Sequence, residues 1–132
     1  MTITHLNPEG MLTSPAFSQA VAAEGGRTVY VGGQNGVDAE GAMADGLPAQ
    51  SAQAFRNLLT VLAAAGGGPE NVVKLTIHIA ADAEVQQAFA GSQQVWGPHP
   101  TAITVLRVAG FARPDALIEV DAVAVVDAPP AG

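Results

Sequence analysis

The stretch PTAITVLRVAGFARPDALIEVDAVAVV, Pro100–Val126, decides the fold. It holds two apolar runs, Thr101–Ala109 and Ala116–Val126, joined by Gly110-Phe111-Ala112-Arg113-Pro114-Asp115. Both runs are rich in Val, Ile and Thr, side chains that suit a pleated surface, so both read as strands. The Gly, Pro and Asp of the joint mark it as a loop. The second run carries Glu119 and Asp121 two positions apart, and a strand turns such residues to one face. A carboxylate in an apolar strand is costly to bury unless it has a partner or a task. What faces Glu119 is therefore the first functional question.

Upstream of this stretch the pattern alternates between helix and strand. Gly97-Pro98-His99-Pro100 ends a helix that starts at Asp82, a suitable N-cap, and runs to about Trp96. Val85, Ala88, Phe89, Ser92 and Trp96 mark its inner face. Val72–Ala80 reads as a strand with Lys74, Thr76 and His78 on one face and Val73, Leu75, Ile77 and Ile79 on the other. Before it, Leu47-Pro48 opens a helix with Pro in the first turn. Phe55, Leu58, Leu59 and Leu62 form its apolar stripe, and Gly66-Gly67-Gly68-Pro69 stops it. Val37–Gly46 is a polar connection. Ala16–Ala23 and Thr28–Val31 read as a strand pair, a hairpin turned by Glu24-Gly25-Gly26-Arg27. Residues 1–14 carry turn signals. Gly32-Gly33 after a strand signals either a bulge or the close approach of a backbone or ligand.

The elements describe an α/β (α+β) fold spanning residues 1–132 as one domain. A mixed sheet of about six strands carries two helices on one face, and Asp127–Gly132 is expected to be a frayed tail. The other sheet face has no helix to cover it. Of the 132 residues 48% are hydrophobic and only 13% charged, so an uncovered half-apolar face points to self-association.

Composition removes several functions. The net charge is −7, and the positive residues Arg27, Arg56, Lys74, Arg107 and Arg113 form no cluster, which disfavours nucleic-acid binding. With no Cys, thiolate and Cys-zinc chemistry is excluded. His5, His78 and His99 have no metal-ligand spacing, so no metal is expected. No serine lies in a G-x-S-x-G setting, and Gly32-Gly33 is neither a dinucleotide fingerprint nor a P-loop. The N-terminus lacks a signal-peptide pattern and no run is long enough to span a membrane, so a cytoplasmic protein is expected. Glu119 is the best acid–base candidate: a partly desolvated carboxylate can shuttle a proton. The alternatives are an ion pair with Arg107 or Arg113, or a carboxylate facing solvent.

The segments Ser14–Val21, Val29–Gln34, Leu62–Gly66, Asn71–Thr76 and Leu117–Val125 together resemble the RidA (YjgF/YER057c/UK114) family, in order along nearly the whole chain. The resemblance implies a chorismate-mutase-like domain assembled as a homotrimer, with a small-molecule cleft between subunits and no cofactor. It implies hydrolysis of reactive enamines and imines to ketoacids and ammonia, with the substrate carboxylate held by the Arg of a P-A-R-S motif. Here the corresponding stretch is Pro100-Thr101-Ala102-Ile103-Thr104, and Ala102 stands where that Arg would be. Arg107, five positions on, points to the opposite face of a regular strand. The resemblance makes Glu119 the residue that positions or activates water. Thr104 provides a backbone carbonyl near the substrate nitrogen. Phe17 replaces a cleft tyrosine, and Gly32, with Gln34 two residues on, replaces the serine of S-G-Q. Trp96 is a core residue or an added apolar wall. The expected cleft is more apolar and less cationic than that of a typical deaminase. It suits imine or enamine hydrolysis on a substrate other than the usual 2-imino acids. A non-catalytic small-molecule-binding trimer is the alternative, and a ribonuclease is disfavoured by the missing basic patch.

Overall fold

The computed structural model describes residues 1–129, and residues 130–132 of the expected tail Asp127–Gly132 lie outside the described residues. The strands are β1 Thr2–Leu6, β2 Ala20–Glu24, β3 Arg27–Gln34, β4 Val72–Ala80, β5 Ala102–Val108 and β6 Ile118–Val126. The helices are α1 Leu47–Ala64 and α2 Val85–Trp96, with one 3-10 turn at Pro69–Asn71. The six strands divide into two sheets, a β1-β2 pair and a four-stranded sheet ordered β3-β6-β4-β5. In the larger sheet β6 runs antiparallel to both neighbours, while β4 and β5 are parallel and joined through α2.

Alternation along the central strands places the core. Ile118, Val120, Ala122 and Ala124 of β6 and Leu75, Ile77 and Ile79 of β4 are buried, and α1 packs on β6 and β3 while α2 packs on α1. The helices meet closely where their side chains are small. Ser51 Oγ donates to the Ala88 carbonyl at 2.7 Å, and a Cβ on Gly91 would lie 2.1 Å from the Pro48 carbonyl oxygen. The Gly run stops α1 as expected. Gly66 sits at φ 86°, and the N–H groups of Gly66 and Gly67 close onto the Ala63 and Leu62 carbonyls at 3.0 and 2.9 Å, the five-to-two and six-to-one bonds of a Schellman cap.

Three local readings are corrected. Residues 1–14 are not all turn, because β1 forms over Thr2–Leu6 and pairs with β2. That pairing breaks the expected hairpin: β2 goes to β1, and β3 goes to β6. Gly25 and Gly26, at φ 72° and 74°, carry the chain from one sheet to the other, a conformation costly for other residues. The start of α2 is Val85, three residues past the expected N-cap Asp82. The segment ahead of the helix is held instead by Arg107, whose Nη1 donates to the Ala81 and Ala83 carbonyls at 3.2 and 2.7 Å.

Candidate active site

The face of the sheet away from the helices carries the polar alternates of the same strands. Pairing sets His78 opposite Glu119, Thr76 opposite Asp121 and Lys74 opposite Val123. On the other side of β4, Lys74 lies beside Ala102, Thr76 beside Thr104 and His78 beside Leu106. Tyr30 of β3, beside Val123, is 79% exposed. Period-two geometry thus puts the chemically useful side chains of these strands on one surface.

Glu119 leans from β6 towards the end of β3. A Cβ built on Gly33 would lie 2.7 Å from the Glu119 carboxyl carbon, so only glycine leaves room for it there. The β3–β6 register also shifts between Val31 and Gln34. Both readings of Gly32-Gly33 are therefore present, a bulge and a close approach, and the approaching group is the candidate acid–base carboxylate. A Cβ at Gly32 meets nothing within 4 Å, so the space above the strand end is open. Gln34 Nε2 donates back to the Gly32 carbonyl at 3.2 Å.

The ion-pair reading of Glu119 is overturned. Arg107 is turned to the helix side and spent on the Ala81 and Ala83 carbonyls. Arg113 makes a two-point contact with Asp115, at 2.9 Å from both Nε and Nη2, and donates to the Gly41 carbonyl at 2.8 Å. That fork holds the Asp115 carboxyl below its ordinary range and raises the Arg113 guanidinium. Among the described residues no ion pair includes Glu119.

Two neighbours of the site are missed by sequence reasoning. His78 Nδ1 lies 3.2 Å from the Glu119 backbone carbonyl and 3.9 Å from Asp121 Oδ2. A carbonyl only accepts, so Nδ1 carries the proton of that bond, and in the neutral ring Nε2 keeps a lone pair. Lys74 Nζ donates to Thr104 Oγ1 at 2.6 Å. The sequence pattern does place Lys74 and His78 on one face of β4. It carries no information on the register that sets them against β5 and β6.

Phe17 lies elsewhere. Together with Pro15 and Ala16 it walls a cavity of about 840 Å³ on the helix side of the sheet. Ile103 and Val105 of β5, Leu75 and Ile77 of β4, and Phe89 and Trp96 of α2 complete most of the wall. The segment is tied to β5 by the Ser18 N–H, which donates to the Thr101 carbonyl at 2.9 Å. Trp96 is both core and wall, 8% exposed and edge-on to Phe55 at 5.3 Å between ring centres. Phe89, read as an inner-face residue, is 43% exposed because it stands at this cavity and not under it.

The family model described as endoribonuclease L-PSP matches residues 10–126. The chain belongs to that family. It is the RidA (YjgF/YER057c/UK114) family whose motifs the sequence carries. A Yersinia pestis protein of the conserved Rid family, described as of unknown function, has a structure with TM-score 0.84 at 32% identity, covering 96% of this chain and 100% of that one. A rat protein described as 2-iminobutanoate/2-iminopropanoate deaminase is 46% identical over 67 residues, 49% of this chain and 47% of its own. An Aquifex aeolicus protein described as a RutC family protein is 36% identical over 73 residues, 54% of this chain and 57% of its own. The matches thus span about half the length of these two curated relatives.

Set on the RidA pattern, the candidate residues fall on the two edges of the four-stranded sheet. Gly32 and Gln34 lie at the end of edge strand β3, with Glu119 reaching over Gly33. Ala102 and Thr104 lie on the opposite edge strand β5, on the open face with Lys74 and Thr76, so they do not join Phe17, whose cavity has Ile103 and Val105 as its β5 wall. Three strand spacings of ~4.8 Å separate β3 from β5, about 14 Å in all. Within one chain the two groups do not meet. Among the described residues no helix is long and apolar enough to cross a membrane.

Proposed function

We propose that this chain hydrolyses an enamine or imine, with Glu119 activating water, in a cleft between the subunits of a homotrimer. The observation that carries the reading is the Glu119 carboxylate itself, held over Gly33 on the open face with no ion-pair partner among the described residues. A carboxylate not tied to a cation keeps its capacity to accept a proton. Glu119 takes a proton from water as the oxygen bonds to the imine carbon and the C=N π electrons move to nitrogen. The carboxyl returns that proton to nitrogen, and the carbinolamine hydroxyl then passes its own proton to nitrogen by way of Glu119 as the C=O forms and the C–N bond breaks. The products are a carbonyl compound and ammonia. An enamine enters the same path after protonation at carbon.

The two open sheet edges support this assembly. A copy whose β5 edge lies beside the β3 edge of the next would bring the Phe17 cavity, with Ile103 and Val105 of β5, up to Glu119, while Ala102 and Thr104 lie on the other face of β5. Such a contact joins two different surfaces, and repeated around an axis it closes into a ring. The open face, with Tyr30 and Leu106 exposed, turns inward. Light scattering should therefore give three times the 13.3 kDa chain mass. The reading includes one domain, a cytoplasmic location, a small-molecule ligand and neither metal nor cofactor.

Substrate choice departs from the usual 2-imino acids. Ala102 offers no guanidinium fork, and losing a charge-assisted contact costs about 1.5–3 kcal/mol. Hydrolysis of 2-iminopropanoate should run about ten- to a hundredfold below that of a relative carrying the arginine. The test of the chemistry is Glu119→Gln, which keeps shape and hydrogen bonding but is not a base. Turnover of any imine found to react should fall by about a hundred- to ten-thousandfold with the trimer intact. Unchanged turnover would sink the assignment. A second reading, a ligand-binding trimer without turnover, is favoured by one observation: the cavity beside Phe17 is apolar and lined by no carboxylate. The acidic balance of −7 weighs against ribonuclease action.

A further inference from the structure

We propose that the cavity beside Phe17 takes the body of a neutral aromatic ligand, a ring without a carboxylate, with His99 as its hydrogen-bond contact. That the ligand is also an imine or enamine rests on the reading above, but its class rests on the cavity wall. No Asp, Glu, Lys or Arg lines the cavity. A carboxylate entering it would lose its water and gain no counter-charge from this wall, a large cost. The wall offers rings instead: Phe17, Phe55, Phe89, Trp96 and His99 all line it. Phe55 and His99 are both set edge-on to Trp96, at 5.3 and 5.9 Å between ring centres. Phe17 and Phe89 have no ring partner among the described residues. A ring in the cavity supplies that partner, and aromatic pairs gain beyond the area they bury.

The polar side chains of the wall are Ser92, Gln93 and His99. Ser92 Oγ is spent on the Phe89 carbonyl at 3.2 Å, and Gln93 is turned to solvent. His99 is different. Gly97, at φ 81°, turns the chain out of α2 and brings the imidazole back against Trp96. The backbone there is fixed, because His99 N–H donates to the Gly97 carbonyl and Thr101 N–H to the His99 carbonyl, at 3.2 and 2.9 Å. His5 and His78 each bond through Nδ1, whereas the His99 ring has no hydrogen-bond partner among the described residues. An imidazole can donate or accept, so it can meet a polar atom on a neutral ligand. The buried indole N–H of Trp96 also lacks an acceptor among the described residues. A buried donor left unpaired is costly, which favours an occupied cavity over an empty one.

The class is tested without turnover, by calorimetric titration with phenylacetamide, phenylacetate and toluene. Trp96 is the only tryptophan of the chain, so its emission reports whether the cavity is filled. The parent should bind the amide with a change in that emission, and bind phenylacetate more than about tenfold more weakly. Phe89 is 43% exposed, so Phe89→Ala spares the core and should weaken amide and toluene alike, about two- to tenfold. His99→Phe keeps a ring and loses the hydrogen bond. It should weaken the amide about two- to tenfold and leave toluene unchanged. An acid bound as tightly as the amide would overturn the neutral class. No binding of the amide, or binding that leaves the Trp96 emission unmoved, would overturn the cavity as the site. Equal losses of amide and toluene in His99→Phe, or none, would overturn the His99 contact. If the amide fills the cavity while no imine is hydrolysed, the hydrolase reading falls and the ligand class stands. If small 2-imino acids are hydrolysed while the cavity refuses the amide, the hydrolase reading stands and the ligand class falls.

Discussion

The two faces of the four-stranded sheet are built from the same strands and have different chemistry. On the helix side Ile118, Val120, Ala122 and Ala124 are at most 3% exposed. The residues between them, Glu119, Asp121 and Val123, are half-buried on the open side. One strand thus supplies core and candidate site through its period of two, with no added element. The difference explains how an apolar strand can keep carboxylates. The apolar half satisfies the fold, and the other half is free of that demand.

The sharpest way to break this comparison uses two adjacent residues of β4. Ile79 is fully buried against Ile118, and its truncation to Ala should cost about 2–5 kcal/mol through lost burial and a residual cavity. The melting temperature should drop on the order of 10 °C. His78→Ala, one position away on the open face, should change stability by less than about 1 kcal/mol. Thermal unfolding of both variants decides it. Equal losses would mean that the open face is as much a core as the other, at least within the assembled protein.

A smaller effect is expected where the two functions touch. Gly33→Ala puts a methyl group 2.7 Å from the Glu119 carboxyl carbon. The carboxyl is the far end of a flexible side chain and can move aside. Stability should therefore fall by no more than about 1–3 kcal/mol. Catalysis depends on position, and a shift on the order of 1 Å can cost a hundredfold. Steady-state rates and melting curves measured together should show the rate falling further than the stability. A variant that loses stability at full rate would place Glu119 outside the reaction.

The division between faces is legible in the sequence of β4 and β6, because long Val- and Ile-rich runs allow one strand reading and alternation then assigns the faces. The stop at Gly66 is equally plain, since a run of Gly followed by Pro permits little else. The direction of Arg107 also follows from the spacing in β5. What escapes is pairing. β1 is five residues with a mixed pattern, too short to outweigh the turn signals after it. Gly25-Gly26 looks the same whether it turns a hairpin or passes between sheets. Registers are tertiary facts, so the meeting of Lys74 with Thr104 and of His78 with Glu119 leaves no local trace. Phe17 and Glu119, neighbours by family pattern, lie on different sides of the sheet in one chain.

The smallest expected effect lies in the loop between β5 and β6, which belongs to neither face. Asp115 and Arg113 form an exposed fork there. The hydrogen bond from Arg113 comes first among the causes that hold the Asp115 carboxyl below its ordinary value. A folded-state value lower than the unfolded one, about 3.9, fixes the sign. The contribution is present above that pH and disappears as acid titrates the carboxyl through its depressed folded value. The pair is open to water, so its worth is small and shrinks with salt. Asp115→Asn should therefore melt slightly below the parent at pH 7 and low salt. The gap should close in 1 M salt, and again on acidification below the folded value. Melting curves of parent and variant across that pH range, at two salt concentrations, test it. A gap that widened in acid would reverse the sign of the pair, and one as large as that of Ile79→Ala would move the loop into the core. A small gap that closes in acid and in salt would leave the helix-facing residues as the source of stability.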